Sequence, residues 1–220
     1  MNHSASGPLF GSDHPIFNQS QCKQSICQKI DDKLIYGLWA IQMEQVFNEE
    51  ECQTIIEAAE ARGFEKALIN VGGGLQVLQN DYRRSQRVMV DDVKLTEEIF
   101  NRIRDALPKT FHGRDLVGLN ERLRILKYLP GDFFQTHKDA SYIRKNGERS
   151  LITMLFYLNE GYKGGKTTFY KPNGKDVNLE VIPKTGMILL HDHMIDHGVP
   201  ELKEGVKYVI RTDVMYKRPT

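Results

Sequence analysis

No stretch of this chain approaches the roughly 18 consecutive apolar residues that a membrane span requires. Neither charge dominates: 30 Lys and Arg stand against 29 Asp and Glu, a formal net charge of +1. That balance leaves no electrostatic footprint for nucleic acid or for an anionic membrane surface. Cysteine is scarce. Cys22, Cys27 and Cys52 all lie early, and an odd number without a spaced framework argues against a disulfide scaffold. Cys22 and Cys27 have the option of pairing or binding metal, but free thiols of a cytoplasmic protein are the expected reading. The start, MNHSASGPLFGSDHPIF, lacks the basic residues and apolar run of a secretory signal, so none is expected. Internal repeats and low-complexity tracts are missing as well.

What remains is ordinary globular material: 40% hydrophobic and 27% charged residues over 220 positions. The length suits one large domain or a domain with a small appendage. Residues 1–30 are polar and read as a flexible or loosely docked arm, leaving 31–220 as a single domain. LIYGLWAIQMEQVF (34–47) is rich in β-branched and aromatic residues and predicts one or two strands. Asn48 then opens a helix, with Glu51 as a capping-box partner and Cys52, Ile55, Ile56 and Ala59 as the apolar stripe. Gly63 suits its end. NVGGGLQ (70–76) has glycines without nucleotide-fingerprint spacing and reads as a flexible loop. A second helix over 91–107 aligns Leu95, Ile99, Ile103 and Leu107 before Pro108 stops it. From about residue 121 to 217 the texture becomes short β-rich segments separated by turn residues: PGD, KNGE, KPNGKD, PKTG and KEG. The expected fold is therefore mainly β with a helical buttress over about 48–108 (α+β), its core a double-stranded β-helix or jelly roll.

Three features carry chemistry. In QTHKDASY, His137 and Asp139 stand two apart, so on a strand they share one side, about 6–7 Å apart along the chain. HDHMIDHGVPE supplies His191, His193 and His197 at a strand end. One of these meeting His137 and Asp139 completes a two-His-one-carboxylate set, which binds ferrous iron and leaves positions open for an organic cosubstrate and O2. On the last strand, alternation puts Lys207, Val209, Arg211 and Asp213 on one face. Arg211 either pairs with an acid inside the sheet or, like Lys207, awaits a ligand carboxylate.

The segments fall into a known order. LRILKYLPGDFFQTHKD, RSLITMLFYLNEGYKGGKTTFY, PKTGMILL and HGVPELKEGVKY resemble, in sequence, the motifs of the Fe(II)/2-oxoglutarate-dependent dioxygenases in the prolyl 4-hydroxylase branch. Pro200 departs from that pattern by one place. The resemblance covers about the last 100 residues, more weakly the two helices. It implies that His137, Asp139 and His197 bind the iron, with His193 as the competing distal ligand. Lys207 then grips the far carboxylate of 2-oxoglutarate, Tyr128 and Tyr157 line or bond the cosubstrate, and Thr153 lines the same pocket. Arg211 stands as an alternative to Lys207 or reaches the substrate. Phe169 is read as core, Gly164 and Gly165 as a turn, and YRRSQR (82–87) as a solvated loop before a substrate-facing one.

The resemblance further implies Fe(II), 2-oxoglutarate and O2, with ascorbate as an optional reductant, and hydroxylation of a C–H bond with release of succinate and CO2. A prolyl residue in a protein or peptide is the leading substrate; a free amino acid or small metabolite is the alternative. Stretches 70–90 and 140–149 have the composition of covering loops. Two readings of other classes stand beside this one: a cupin-type metal protein, and a non-catalytic interaction module on the same fold. Nucleic acid and membrane are not expected partners, a cytoplasmic location is expected, and the oligomeric state is not written in these residues.

Overall fold

The computed structural model describes residues 7–10, 25–70 and 75–219. Cys22 and most of the NVGGGLQ stretch lie outside them. Helix α1 runs Glu49–Arg62 and α2 runs Val93–Ile103. Asn48 and Glu51 form the full capping box: the Asn48 side chain accepts from the Glu51 N–H at 2.8 Å, and the Glu51 carboxylate accepts from the Asn48 N–H at 2.9 Å. Glu51 also receives Arg102 of α2 at 2.7 Å, so one buried carboxylate starts the first helix and ties the second to it. Asn48→Ala is expected to cost about 1 kcal/mol of stability, measured as a lower denaturation midpoint at an unchanged slope.

Every strand pairing among the described residues is antiparallel. The large sheet runs in the order 26–29, 40–44, 188–192, 149–157, 207–217, 122–128, 86–91, 65–66, with 114–119 joined to the far part of 207–217. A smaller sheet runs 177–180, 168–170, 197–199, 133–137, 83–84. Alternation along the central strands sorts side chains into two cores. Ile125, Ile152, Met154, Phe156, Ile188, Leu190, Ile210 and Val214 face the helices, beside Ile55 and Ile99. Leu126, Tyr128, Leu155, Tyr157, Phe169, Leu189 and Val209 face the small sheet. This is the two-sheet β-helix with a helical buttress that the turn-punctuated strands imply. Phe169 is fully buried in the inner core.

Gly186 closes the PKTG turn with a φ of +77°, and a Cβ there would stand 1.9 Å from the Phe47 carbonyl oxygen. Only glycine lets these backbones touch, and the Gly186 carbonyl accepts from both Val46 and Phe47 N–H groups at 3.2 Å.

Two stretches differ from expectation. The arm is docked where it is described: Leu9 is buried and its N–H donates to Asp92 at 2.8 Å, while Ile26–Lys29 form an edge strand on 40–44. YRRSQR is not a solvated loop. Arg83–Arg84 and Gln86–Asp91 are strands, and Ser85 and Arg87 are buried. Among the described residues no helix is long and apolar enough to cross a membrane.

Candidate metal and cosubstrate site

Strand register brings the metal-type residues together. His137 ends the 133–137 strand directly opposite His197 on 197–199. Gly198 permits this closeness, since a Cβ there would lie 2.9 Å from the Phe134 carbonyl oxygen. Asp139 follows two residues on, its N–H bonded to the His193 carbonyl at 3.0 Å. One donor atom from each of His137, Asp139 and His197 lies within 4.8 Å of the others. The three side chains are largely buried, 12%, 11% and 7% exposed.

The protonation pattern follows from the partners. His137 Nδ1 lies 2.8 Å from the Gln135 carbonyl and His197 Nδ1 2.9 Å from the Ile195 carbonyl. A carbonyl only accepts, so each Nδ1 carries a hydrogen and Nε2 is the ring atom that each histidine turns toward the site. Burial, with His197 next, pushes the His137 imidazole down to about 3, so it stays neutral. Both Nε2 atoms face the Asp139 carboxylate, at 3.9 and 3.5 Å. Asp139 ionises well below the usual carboxylate range: burial opposes this, and the Arg211 guanidinium outweighs it. Two imidazole Nε2 atoms and an ionised carboxylate turned toward one point are the donor types that a cation draws together. The donor set therefore fits a divalent metal, and its two imidazoles and one carboxylate suit ferrous iron.

His193 is placed differently. Thr153 donates to Asp139 and accepts from His193 Nδ1 at 2.8 Å, and Ser150 Oγ donates to His193 Nε2 at 2.9 Å. Both ring nitrogens are occupied, so His193 braces Asp139 through Thr153 and has no lone pair for a metal. Nothing in the local sequence marked Ser150 for this chain of bonds. His191 is wholly buried beside His197, their ring centroids 4.5 Å apart, and stands outside the donor set.

The donors open on a cavity of about 350 Å³. Lys207, Val209, Arg211 and Asp213 line it from the last strand, Tyr128 and Arg124 from the strand beside it, and Thr153 from the next. Lys207 is 1% exposed. Its Nζ donates to the Gly165 carbonyl at 2.7 Å and stands 5.2, 5.8 and 6.0 Å from the Tyr128, Tyr157 and Tyr162 ring centroids. No described carboxylate reaches it, and burial alone pulls its ammonium down to about 7. Arg211 is the opposite case, with Asp139 and Asp213 each at 3.0 Å. Tyr157 lies behind the wall, its hydroxyl donating to Thr167 at 2.7 Å, and Thr167 in turn lines the cavity. Residues 82–83 and 140–142 border the cavity, as do Leu68 and Ile69.

Comparison with known proteins agrees with this geometry. The 2OG-Fe(II) oxygenase superfamily profile matches residues 123–212. The chain is 24% identical over 188 residues to a putative prolyl 4-hydroxylase of Acanthamoeba polyphaga mimivirus, 76% of this chain and 70% of that protein. Other curated relatives are longer, and the chain spans 33%, 44% and 46% of three of them. Among solved structures, the viral collagen prolyl hydroxylase of Paramecium Bursaria Chlorella virus-1, in complex with 2OG, superposes with a TM-score of 0.59 at 18% identity, covering 82% of this chain and 98% of that one. A prolyl hydroxylase from Trichoplax adhaerens, bound to a hypoxia inducible factor peptide fragment, gives 0.57 at 18% identity over 74% of each chain.

Proposed function

We propose that this chain is a 2OG-Fe(II) oxygenase of the prolyl 4-hydroxylase-like branch and that it hydroxylates a prolyl residue of a protein or peptide. Fe(II), 2-oxoglutarate and O2 supply the chemistry when bound, coupling decarboxylation of 2-oxoglutarate to succinate and CO2 with oxidation of a substrate C–H bond. The residues of this chain hold and orient those groups. His137 and His197 would present their Nε2 atoms to the metal, each ring oriented through its Nδ1 by the Gln135 or Ile195 carbonyl. Asp139 completes the set, held ionised by Arg211 and oriented by Thr153 and His193.

The observation that carries the reading is Lys207. A buried ammonium without a carboxylate is costly in a folded protein, and here it waits at a cavity wall. Lys207 would hold the free carboxylate of a dicarboxylate whose other end is bound at the metal site, since both line one cavity. Arg211, saturated by Asp139 and Asp213, is left as a positioning residue for the metal carboxylate. The peptide substrate is supported by the Trichoplax neighbour, which binds a peptide fragment. A cupin-type or purely binding role leaves the isolated Lys207 cation without a purpose.

Anaerobic titration of Fe(II) and 2-oxoglutarate should produce the weak visible charge-transfer band of the chelate, and His137→Ala should remove it. Prolyl peptides incubated in air with the loaded protein should then gain one oxygen atom, with succinate released in step. No band at saturating ligand would sink the reading.

A further inference from the structure

Ser150 neither lines the cavity nor belongs to the metal donors, yet hydrogen bonds from both sides meet on it. On one side is the segment 140–142, which borders the cavity. The Tyr142 N–H donates to Ser150 Oγ at 2.8 Å, the Ser150 N–H donates to the Tyr142 carbonyl at 2.9 Å, and Ser141 Oγ donates to the Ser150 carbonyl at 2.8 Å. One residue of the 149–157 strand thus clasps two consecutive residues of the segment, while Tyr142 itself stays half exposed.

On the other side is the metal carboxylate. The Ser150 hydroxyl donates to His193 Nε2 at 2.9 Å, His193 Nδ1 donates to Thr153 at 2.8 Å, and Thr153 donates to Asp139. Ser150, Thr153 and His193 are 0%, 1% and 3% exposed. Water hardly competes for these bonds, and a broken link strands a buried polar group.

The chain of bonds ends on one particular oxygen. Arg211 meets Asp139 at Oδ1, and Thr153 meets it at Oδ2. A carboxylate turns readily about its last torsion when one contact holds it, whereas contacts on both oxygens fix its plane. A bridge that served the sheet alone would end in the apolar core. This one runs from the edge of the cavity to a metal donor.

We propose that Ser150 and His193 are positioning residues that hold the Asp139 carboxylate and the segment 140–142 in one register, so that metal binding and order in the segment favour each other. The inference rests on the metal reading of His137, Asp139 and His197. Coupling of this kind is reciprocal: a metal that fixes Asp139 steadies the segment, and a substrate that pins the segment tightens the hold on the metal.

Two readouts test this without turnover: calorimetric titration of Mn(II) into the protein, and backbone hydrogen exchange of residues 140–143 with and without Mn(II). Ser150→Ala removes only the hydroxyl. His193→Asn keeps an N–H near the Nδ1 position and lets go of Ser150, so it carries the test if Ser150→Ala does not fold. Mn(II) should bind Ser150→Ala about tenfold more weakly than the unaltered protein. In the unaltered protein Mn(II) should slow exchange across the segment, and by reciprocity the factor should again be about tenfold. Both variants should lose that slowing. Asp139 adjoins the segment along the chain, so slowing that survives equally in both variants comes through the backbone and overturns the proposal. Unchanged Mn(II) affinity in Ser150→Ala, or no slowing in the unaltered protein, overturns it too. Failure of the unaltered protein to bind Mn(II) at all would sink the metal reading and the proposal with it.

Discussion

Lys207→Met is expected to weaken 2-oxoglutarate binding by about a hundredfold or more, because it removes one partner of a buried, hydrogen-bonded charge pair. Methionine keeps the length and apolar body of the side chain, so the Tyr128, Tyr157 and Tyr162 packing survives and the fold is not the casualty. The metal donors lie elsewhere in the cavity, so metal affinity should stay near that of the unaltered protein. A pH signature accompanies the loss. The free ammonium is drawn down to about 7, whereas the unfolded chain keeps its ordinary value of about 10.5. Between those limits the unfolded chain holds more protons, so the ligand-free protein should gain stability as pH rises through that window. A bound carboxylate favours the charged amine. Binding above about pH 7 must then take up a proton, and 2-oxoglutarate affinity should fall as pH rises from there. The phenols facing the amine do not interfere, since burial raises all three and keeps them neutral. Calorimetry in buffers of different ionisation enthalpy measures the proton directly. A Lys207→Met protein that binds 2-oxoglutarate normally, or a pH-independent affinity, would remove Lys207 from the site.

The helices and the last strand were open to sequence reasoning because each faces an apolar core on one side and something polar on the other. Cys52, Ile55 and Ala59 show a 3.6-residue period, and Lys207, Val209, Arg211 and Asp213 a period of two. Gln86–Asp91 hid for the converse reason. Val88 and Val90 pack on the helix side, but Arg87 turns into a polar cavity, so the strand lacks the apolar partner face that would advertise it. Ile26–Lys29 is an edge strand exposed along its whole length, with no burial pattern to read. At the site, His137 and Asp139 were legible as a pair two apart, and His197, 60 positions on, through the ordered motifs of the family resemblance. The choice between Lys207 and Arg211 was not legible, since it turns on which carboxylates stand nearby. Asp139 lies 72 positions before Arg211 in the chain and reaches it only when the sheets close. His193 was a rival ligand on paper for the same reason: its Thr153 and Ser150 partners come from a neighbouring stretch of sheet.

Arg211→Gln is expected to strike stability first and cosubstrate binding second. Arg211 neutralises two carboxylates at once, and it is itself only 17% exposed. Removing it leaves Asp139 and Asp213 buried, with Arg124 at 3.8 Å from Asp213 as the remaining guanidinium. Breaking such a buried pair costs about 3–5 kcal/mol, which for a domain of this size lowers the melting temperature by on the order of 10 °C. The sign of the pH dependence follows from Asp139. Its carboxyl is held well below the ordinary range in the folded protein, so it contributes stability above the unfolded value of about 3.9, and that contribution fades as pH falls through the folded value. Without Arg211 that contribution shrinks or reverses, so the gap between variant and unaltered protein should be widest near neutral pH and narrow in acid. A divalent cation on His137, Asp139 and His197 supplies positive charge to the same carboxylate, so added Mn(II) should recover part of the lost melting temperature in the variant. Thermal unfolding with and without Mn(II) at several pH values tests each clause, and an Arg211→Gln protein that melts with the unaltered one would discard the ion-pair role. The same variant decides between the two cations. If Arg211 held the cosubstrate, its loss would abolish 2-oxoglutarate binding at a pH where the variant remains folded, and Lys207→Met would spare it. The distances of 3.0 Å from Arg211 to both aspartates predict the reverse order, because a guanidinium that already serves two carboxylates gains little from a third.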